Sequence, residues 1–187
     1  MERAEHQDDE LADLIRVDAA TGVRLGEILA LRWLDLSLPG RYAHVAAAIT
    51  DGGPGVGVIR KETKRSDWRD VPLTDGAVSA PERQLARRRA ILGRDPAPEE
   101  YVFPGSADGT RPHRPDSMGD RLAEVRGTAP TTFLHLRHFA ATTMRDAGEE
   151  YRTVAEILGN SETTLRLHYD GRTNVDKRRA VAALELD

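Results

Sequence analysis

A stretch of 36 residues constrains the fold more than any other part of the chain. Residues 134–169 read LHLRHFAATTMRDAGEEYRTVAEILGNSETTLRLHY, and the glycines Gly148 and Gly159 interrupt helical patterns. Glycine tolerates the left-handed conformation that commonly ends an α-helix, so the pattern predicts three short helices joined by tight turns. A buried core alone does not require so much cationic and amide chemistry beside a tyrosine, which indicates a functional site. The residues that carry this chemistry fall at the helix ends and turns: Arg137, Asn160 and Tyr169.

Helical patterns account for most of the remaining chain. Apolar residues recur at three-to-four spacing behind capping residues. One such face is formed by Leu11, Leu14, Ile15 and Asp18. The predicted helices cover Asp8 or Asp9 to about Ala20, 28–33, 74–92, 116–126, Thr131 or Thr132 to Ala147, 151–158, a segment that Ser161 caps and that carries Tyr169, and the tail after Thr173.

The pattern changes to that of strands between residues 34 and 73. Strands are predicted at 42–49, 56–61, 69–73 and 101–103. Two of them flank a polar turn at 63–67, so we expect a hairpin with Lys64 at its tip. The glycine-rich residues 51–57 are interpreted as a connection, because neither a Lys-Ser/Thr pair nor a helix follows them. The predicted fold class is mainly α with a small antiparallel β-sheet (α+β).

The composition restricts the class of protein. With 187 residues, the chain has the length of one ordinary domain. It contains no cysteine, which excludes a disulfide framework, thiolate zinc and a cysteine nucleophile. Because the chain lacks an apolar run of about 18 residues and begins with an acidic segment, we expect neither a membrane span nor a signal peptide, and a cytoplasmic protein. No histidines stand with an acid at metal-ligand spacing, and no metal or cofactor is predicted.

The net charge of −4 hides an uneven distribution along the chain. The first 18 residues contain seven acidic and two basic side chains, which leaves 25 basic and 24 acidic side chains for the rest. Those basic residues cluster at 60–69, 87–89, 111–126 and 172–179. Local clusters of this kind attract the phosphate backbone of nucleic acids, whatever the net charge. Each cluster can equally be a solvated helix face or turn, and for the triplet Arg87-Arg88-Arg89 we favour this second interpretation.

Arg24 stands at the start of a helix that is apolar on most sides and is therefore predicted to be buried. An unpaired guanidinium at the mouth of such a helix is costly, so an acid or an anionic ligand must meet it. Glu27 or Asp35 could supply the acid. From the residues alone, this pairing and a bound anion have equal weight.

Five segments resemble, in order and spacing, the motifs of the tyrosine recombinases, the phage integrase family. Residues 21–35, TGVRLGEILALRWLD, resemble the first arginine signature. Thr63-Lys64 followed by RDVPL at 69–73 resembles the hairpin lysine of the family. The others are VFP at 102–104, LRHFAAT at 136–142, which resembles the second arginine motif, and LGN at 158–160 with TTL at 163–165 and Tyr169, which resembles the final box. The match extends from about residue 10 to about residue 180.

The resemblance implies the catalytic domain of a site-specific DNA recombinase or integrase, which cleaves and rejoins double-stranded DNA without metal or nucleotide. Tyr169 would attack a phosphodiester to give a covalent 3′-phosphotyrosine, and Lys64 would protonate the departing 5′ oxygen. Arg24 and Arg137 would bind the non-bridging oxygens. These residue types suit the chemistry, because planar guanidinium groups bind phosphate oxygens bidentately. A tyrosine, with a free pKa of about 10, also needs a base or a cationic site to become a nucleophile.

Two positions depart from the family pattern. A His-x-x-Arg motif would place histidine at Leu134, whereas His135 lies only two residues before Arg137. Either the chain is locally shortened and His135 enters the site, or an acid/base group is missing, which typically costs about 10²–10⁴ in rate. Asn160 stands where the family commonly has histidine. Its amide can donate to a phosphate oxygen, or the residue can simply cap a helix in left-handed geometry.

The resemblance also bears on domains and partners. Family members usually carry an N-terminal helical domain that closes around DNA, and we expect this core-binding domain to be absent here. Residues 1–187 are predicted to form one catalytic domain, with an acidic segment at 1–9 and a tail helix at 173–187. The tail resembles a segment passed to a neighbouring subunit, which implies a tetramer on DNA. The alternatives are a catalytically impaired DNA-binding or assembly module that retains the fold, and a type IB topoisomerase, whose motifs match less well.

Overall fold

The computed structural model describes residues 8–53, 55–63 and 67–169, with side chains as far as Leu167. The helices are α1 Asp9–Thr21, α2 Leu25–Ala30, α3 Asp75–Leu92, α4 Pro115–Arg126, α5 Phe133–Asp146, α6 Tyr151–Leu158 and α7 Glu162–Tyr169. The strands are β1 Leu36–Ser37, β2 Tyr42–Val45, β3 Ala47–Asp51, β4 Val58–Glu62 and β5 Arg69–Pro72. The fold is mainly helical with small antiparallel sheets, which confirms the predicted fold class.

Helix boundaries follow the predictions wherever local capping signals are strong. The Thr132 hydroxyl accepts a hydrogen bond from the backbone N–H of His135 and begins α5, as predicted. Thr74 caps α3 in the same way. Gly159, at φ 65°, ends α6 in the left-handed conformation that a glycine adopts without strain. The tail helix predicted after Thr173 lies outside the described residues.

The short buried helix begins and ends three residues earlier than predicted. It covers Leu25–Ala30, because the Glu27 carboxylate accepts a hydrogen bond from the backbone N–H of Arg24 at 3.1 Å and caps the first turn. Leu31 is extended, and a 3-10 helix at Trp33–Asp35 follows.

The strand pairing differs from the predicted hairpin. The strand predicted at 42–49 is divided at Ala46 into β2 and β3. β4 pairs with β3 and β5 pairs with β2, so the predicted hairpin between β4 and β5 is wrong. The glycine-rich connection supplies the turn instead: Gly52 N donates to Gly57 O at 2.7 Å and closes the β3–β4 hairpin.

The register shows where β4 ends and β5 begins. Ala47 pairs with Glu62 and Val45 pairs with Arg69, so Ala46 separates the two pairings. Thr63 is held to that residue by two hydrogen bonds to Ala46 O, from its backbone N–H at 2.8 Å and its hydroxyl at 3.0 Å. The strand predicted at 101–103 is also wrong, because this segment forms a single bridge, between Tyr101 and Arg32.

Two apolar cores hold the molecule together. The larger one is formed by α1, α2, the strands, α3 and α4. The smaller one lies between α5, α6 and α7 and consists of Ala141, Val154, Ala155, Leu158 and Leu165. The cores meet at Gly22, where an added Cβ would lie 2.6 Å from Leu158 Cδ2 and 3.0 Å from Ala140 Cβ. The three-helix unit predicted at 134–169 is therefore present, and it docks closely on the end of α1.

The arginine triplet of α3 is not the solvated face that we predicted. Arg88 is buried and donates to Ala107 O at 2.7 Å, and Arg87 pairs with Asp13 of α1. Only Arg89 of the three lies at the exposed surface, where it pairs with Asp95 at 2.5 Å. The prediction failed because α3 packs on α1, which places arginines beside the acidic residues of that helix.

No helix among the residues that the structure describes is both long and apolar enough to cross a membrane.

Candidate active site

The site is built around the C-terminal turn of α6. The left-handed Gly159 lets the chain fold back, so that Gly159 N donates to Glu156 O and Asn160 N donates to Ala155 O. The carbonyls of Ile157, Leu158 and Gly159 have no partner within the helix, as expected for a helix end. These oxygens also carry the negative end of the helix dipole, so the turn is a place where cations are favoured.

Arg137 approaches this turn from α5. Its guanidinium donates to Leu158 O at 3.0 Å and to Gly22 O at 2.7 Å. The residue is only 7% exposed. Two neutral carbonyls thus fix the orientation of the guanidinium without neutralising its charge.

Arg24 approaches the same turn from the start of α2. Its Nη2 donates to Gly159 O at 3.0 Å and to Asn160 Oδ1 at 2.7 Å, and its Nη1 pairs with Glu27 at 3.2 Å. The pairing with Glu27, left open by the sequence, is therefore present. The Arg24 side chain is 47% exposed, so it also faces solvent, where an anion could reach it.

The Asn160 side chain contacts Arg24 through its amide. Its carbonyl oxygen accepts from Arg24, which orients the amide and directs the NH2 group away from Arg24. The left-handed residue of the turn is Gly159, so the prediction that Asn160 itself adopts that geometry is wrong. The predicted site residues Arg24, Arg137 and Asn160 meet at one turn.

A third arginine, Arg69 at the start of β5, also reaches the turn. Its Nε donates to Ile157 O at 2.7 Å and its Nη2 donates to Leu158 O at 3.2 Å. The same guanidinium binds Glu27 through two hydrogen bonds, at 2.8 Å and 3.3 Å. Burial pushes the pKa of Glu27 upward, but the hydrogen bond and charge of Arg69, together with Arg24, outweigh burial and lower the pKa below 4.5.

His135 does not join this group. α5 is a continuous helix from Phe133, with no local shortening before Arg137, so His135 stays two residues from Arg137. Its ring nitrogen Nδ1 lies 3.2 Å from Thr132 Oγ1 at the exposed N-terminus of the helix. Leu134 occupies the position one turn before Arg137 and is 61% exposed.

The two remaining candidates lie at the limits of the described residues. Lys64 falls outside them, although Thr63 and Asp67 mark where its segment leaves and re-enters the described part. Tyr169 is the last residue of α7, and its side chain is outside the described residues. The helix that carries it is anchored by Leu165 in the smaller core and by Arg166, whose guanidinium lies 4.5 Å from the ring centre of Tyr151.

An open cleft of about 620 Å³ adjoins the turn. Its lining includes Arg24, Asn160, Ser161, Thr63 and Trp68. The Trp68 ring is half exposed and leans on His44, with ring centres 5.1 Å apart. Within the part of the chain that the structure describes, no group of three or more His, Asp or Glu side chains is arranged to hold a metal ion.

Sequence reasoning missed two residues next to the site. Arg69 was seen only as part of a motif and was given no function. Asp18 of α1 is fully buried with no hydrogen-bond partner for either carboxylate oxygen, and burial raises its pKa to about 8 although the nearby Arg137 acts to lower it. The burial of Asp18 could have been predicted, because the helical spacing already placed this residue on the apolar face of α1.

Comparison with known proteins identifies the family of this arrangement. The model of the phage integrase family matches residues 1–171. The chain belongs to the phage integrase family. Among curated members, it is 30% identical to the tyrosine recombinase XerC of Xanthomonas axonopodis pv. citri (strain 306), over 84% of this chain and 46% of the relative. It is also 30% identical to XerC of Actinobacillus pleuropneumoniae serotype 7 (strain AP76), over 88% of this chain and 50% of that relative.

Solved structures of family members share the fold. An integrase of the Tn1549 transposon, solved in complex with circular intermediate DNA, has a TM-score of 0.72 at 23% identity and covers 92% of this chain and 59% of its own. The XerA recombinase has a TM-score of 0.71 at 21% identity, over 100% of this chain and 60% of its own. The present chain thus spans about half the length of the curated relatives it matches.

Proposed function

We propose that this chain is the catalytic domain of a site-specific DNA recombinase, which cleaves and rejoins double-stranded DNA through a 3′-phosphotyrosine intermediate without metal or nucleotide. The observation that carries the proposal is the meeting of Arg24 and Arg137 on consecutive carbonyls of one helix end, Gly159 O and Leu158 O. The phage integrase family membership and the DNA-bound integrase of similar fold support it.

In the proposed reaction, Tyr169 gives up its phenolic proton to solvent, and its oxygen attacks the phosphorus of a phosphodiester. A Tyr–O–P bond forms, the bond from phosphorus to the 5′ oxygen breaks, and Lys64 gives that oxygen a proton. Negative charge spreads over the non-bridging oxygens in the transition state, where Arg24 and Arg137 stabilise it. Rejoining is the reverse reaction, in which a 5′-hydroxyl attacks the phosphotyrosine.

Asn160 would act on the phosphate through Arg24. Its carbonyl oxygen holds the Nη2 of Arg24, and its NH2 group remains on the other branch of the amide as a donor. Leu134 supplies no acid or base at the usual histidine position, and His135 sits beside Thr132. Strand cleavage should therefore be slower than in a site with that histidine, by about 10²–10⁴.

The exposed Leu134 also favours a second candidate, an impaired DNA-binding or assembly module that retains the recombinase fold. A nicked duplex that loses a short fragment on cleavage traps the covalent step and separates the two. We expect the chain to form a protein–DNA adduct that survives denaturing electrophoresis and that Tyr169→Phe abolishes. DNA binding without adduct after prolonged incubation would identify the second candidate, and absence of both would refute the proposal.

Self-association on DNA through residues 173–187 is part of the proposal. A lambda integrase tetramer bound to a Holliday junction has a TM-score of 0.56 to this chain at 17% identity. Sedimentation with duplex DNA should give a species larger than one chain per site, which deletion of residues 173–187 reduces to a monomer. A monomer with and without DNA would contradict this part.

A further inference from the structure

Three arginines converge on three consecutive carbonyls at the end of α6. Arg24 binds Gly159 O, Arg137 binds Leu158 O, and Arg69 binds both Leu158 O and Ile157 O. The first two belong to the proposed phosphate site. Arg69 is different, because all three of its guanidinium nitrogens donate to the turn or to Glu27.

Arg69 joins three parts of the molecule. It begins β5. Its guanidinium lies directly under the α6 turn, since an added Cβ at Gly159 would be 2.6 Å from Arg69 Nη1. It also holds the Glu27 carboxylate with two hydrogen bonds. The start of β5, the α6 turn and the start of α2 are therefore fixed to one planar group.

Arg69 also weakens the attraction between the Glu27 carboxylate and the Arg24 guanidinium, because it binds the same carboxylate. The Glu27 carboxylate is buried and accepts from both arginines, with a distance of 2.8 Å to Arg69 Nη2 and 3.2 Å to Arg24 Nη1. A buried carboxylate that loses one cation binds its remaining cation more tightly. Without Arg69, the Arg24 guanidinium would turn toward Glu27 and away from Gly159 O and Asn160.

We propose that Arg69 is a positioning residue for strand cleavage, which holds the α6 turn and the Glu27 carboxylate so that Arg24 and Arg137 keep the geometry of a phosphate site. This inference rests on the proposed function for its effect on cleavage. Its effect on the two arginines is independent of any activity. Arg69 itself does not touch the phosphate.

The test compares three variants of the full 187-residue chain. Arg69→Met removes the hydrogen bonds and the charge. Arg69→Lys keeps the charge for Glu27 but lacks the planar fork that reaches two carbonyls as well. Arg89→Met is the matched control, because Arg89 is an arginine at the exposed surface that pairs only with Asp95 in the described contacts.

The first measurement is the rate of adduct formation on the nicked duplex at saturating DNA. We expect Arg69→Met to lower this rate about 10²-fold with little change in the DNA concentration at half saturation, because misplaced groups cost rate rather than binding. Arg69→Lys should recover part of the loss, and Arg89→Met should match the wild type. A rate for Arg69→Met within twofold of the control would overturn the proposal.

The second measurement does not depend on activity. In the nitrogen-15-labelled free chain, the side-chain Nε–Hε signals of Arg24 and Arg137 report the environment of each guanidinium. We expect both signals to move in Arg69→Met, less in Arg69→Lys, and not at all in Arg89→Met. Unchanged signals in Arg69→Met would refute the positioning role. Should the wild type form no adduct, the proposed function fails, while these spectra still decide the role of Arg69; if Arg69→Met does not fold, Arg69→Lys decides it.

Discussion

Two arginine-rich regions of this molecule use the same side chain in opposite ways. Between α1, α3 and α4, arginines meet carboxylates: Asp13 pairs with Arg16, Arg83 and Arg87, and Arg121 pairs with Asp8 and Glu10. At the end of α6, three arginines meet neutral carbonyls, and two of them, Arg24 and Arg69, also share the Glu27 carboxylate. A guanidinium held by carbonyls is oriented but keeps its charge, whereas one held by carboxylates is largely neutralised.

The comparison changes how basic clusters in a sequence should be interpreted. The clusters at 87–89 and 111–126 suggested phosphate contacts or solvated faces. In the structure, Arg87 and Arg121 instead form ion pairs with acidic residues at α1. Arg24 and Arg137, the two arginines proposed for the phosphate, lie far apart in the chain and outside every basic cluster. A cluster of basic residues in the sequence is therefore a weak indicator of a phosphate site. A better indicator is whether an arginine in the fold donates to carbonyl oxygens or to carboxylates.

The largest expected effect concerns an arginine of the α6 turn. Arg137→Lys keeps a positive charge but loses the planar group that spans Gly22 O and Leu158 O. We expect the rate of adduct formation to fall about 10²–10³-fold, the usual loss when one donor to a developing charge is removed. The nicked-duplex assay measures this rate. Equal rates for Arg137→Lys and the wild type would show that the orientation of this guanidinium by carbonyls does not matter for cleavage.

A smaller effect, on stability, is expected in the α1 network. The double variant Arg83→Met/Arg87→Met leaves the buried Asp13 with Arg16 alone. The free energy of unfolding should decrease by about 2 kcal/mol, because the buried Asp13 loses two of its three charge-assisted hydrogen-bond partners. Urea denaturation measures the decrease, and adduct formation per folded molecule should stay at the wild-type rate. A loss of cleavage without a loss of stability would show that the arginines beside α1 act in cleavage rather than in stability.

Two aspartates of α1 are buried in opposite environments. Asp13 is surrounded by arginines, whereas Asp18 is buried without a hydrogen-bond partner and its pKa is raised from 3.8 to about 8. Below pH 4 the folded and unfolded states both hold the Asp18 proton. Between about pH 4 and 8 only the folded state holds it, so this contribution to stability is lost as pH rises, at up to about 1.4 kcal/mol per pH unit.

Asp18→Asn mimics the protonated side chain at every pH. Its free energy of unfolding, measured by urea denaturation between pH 5 and pH 8, should therefore fall less steeply with pH than that of the wild type. Parallel pH profiles for the two proteins would show that Asp18 does not titrate as its burial requires.

Local sequence signals predicted much of the fold and part of the site. The Thr132 cap, the Gly159 stop and the three-to-four spacing of apolar residues each act within a turn or two of helix, so they gave α5, α6 and α7 nearly their observed bounds. The motif residues Arg24, Arg137 and Asn160 were also identified in advance. The structure brings them to one turn, and their roles in cleavage remain a proposal.

Long-range packing decided what the sequence could not. β5 pairs with β2 across more than 20 residues rather than with the neighbouring β4, and nothing in the residues of β5 alone states that choice. Arg88 became a buried donor because α3 packs against the segment that carries Ala107, and Asp18 became a buried acid because α1 packs against α3 and α5.

The sequence alone thus predicted the helices and turns of residues 134–169, but not which side chains surround them. A carbonyl at a helix end is unpaired in any sequence, and which cation meets it depends on the tertiary structure. Here Arg24, Arg69 and Arg137 arrive from three separate elements, and only the docking of α6 on Gly22 and β5 brings them to the same turn.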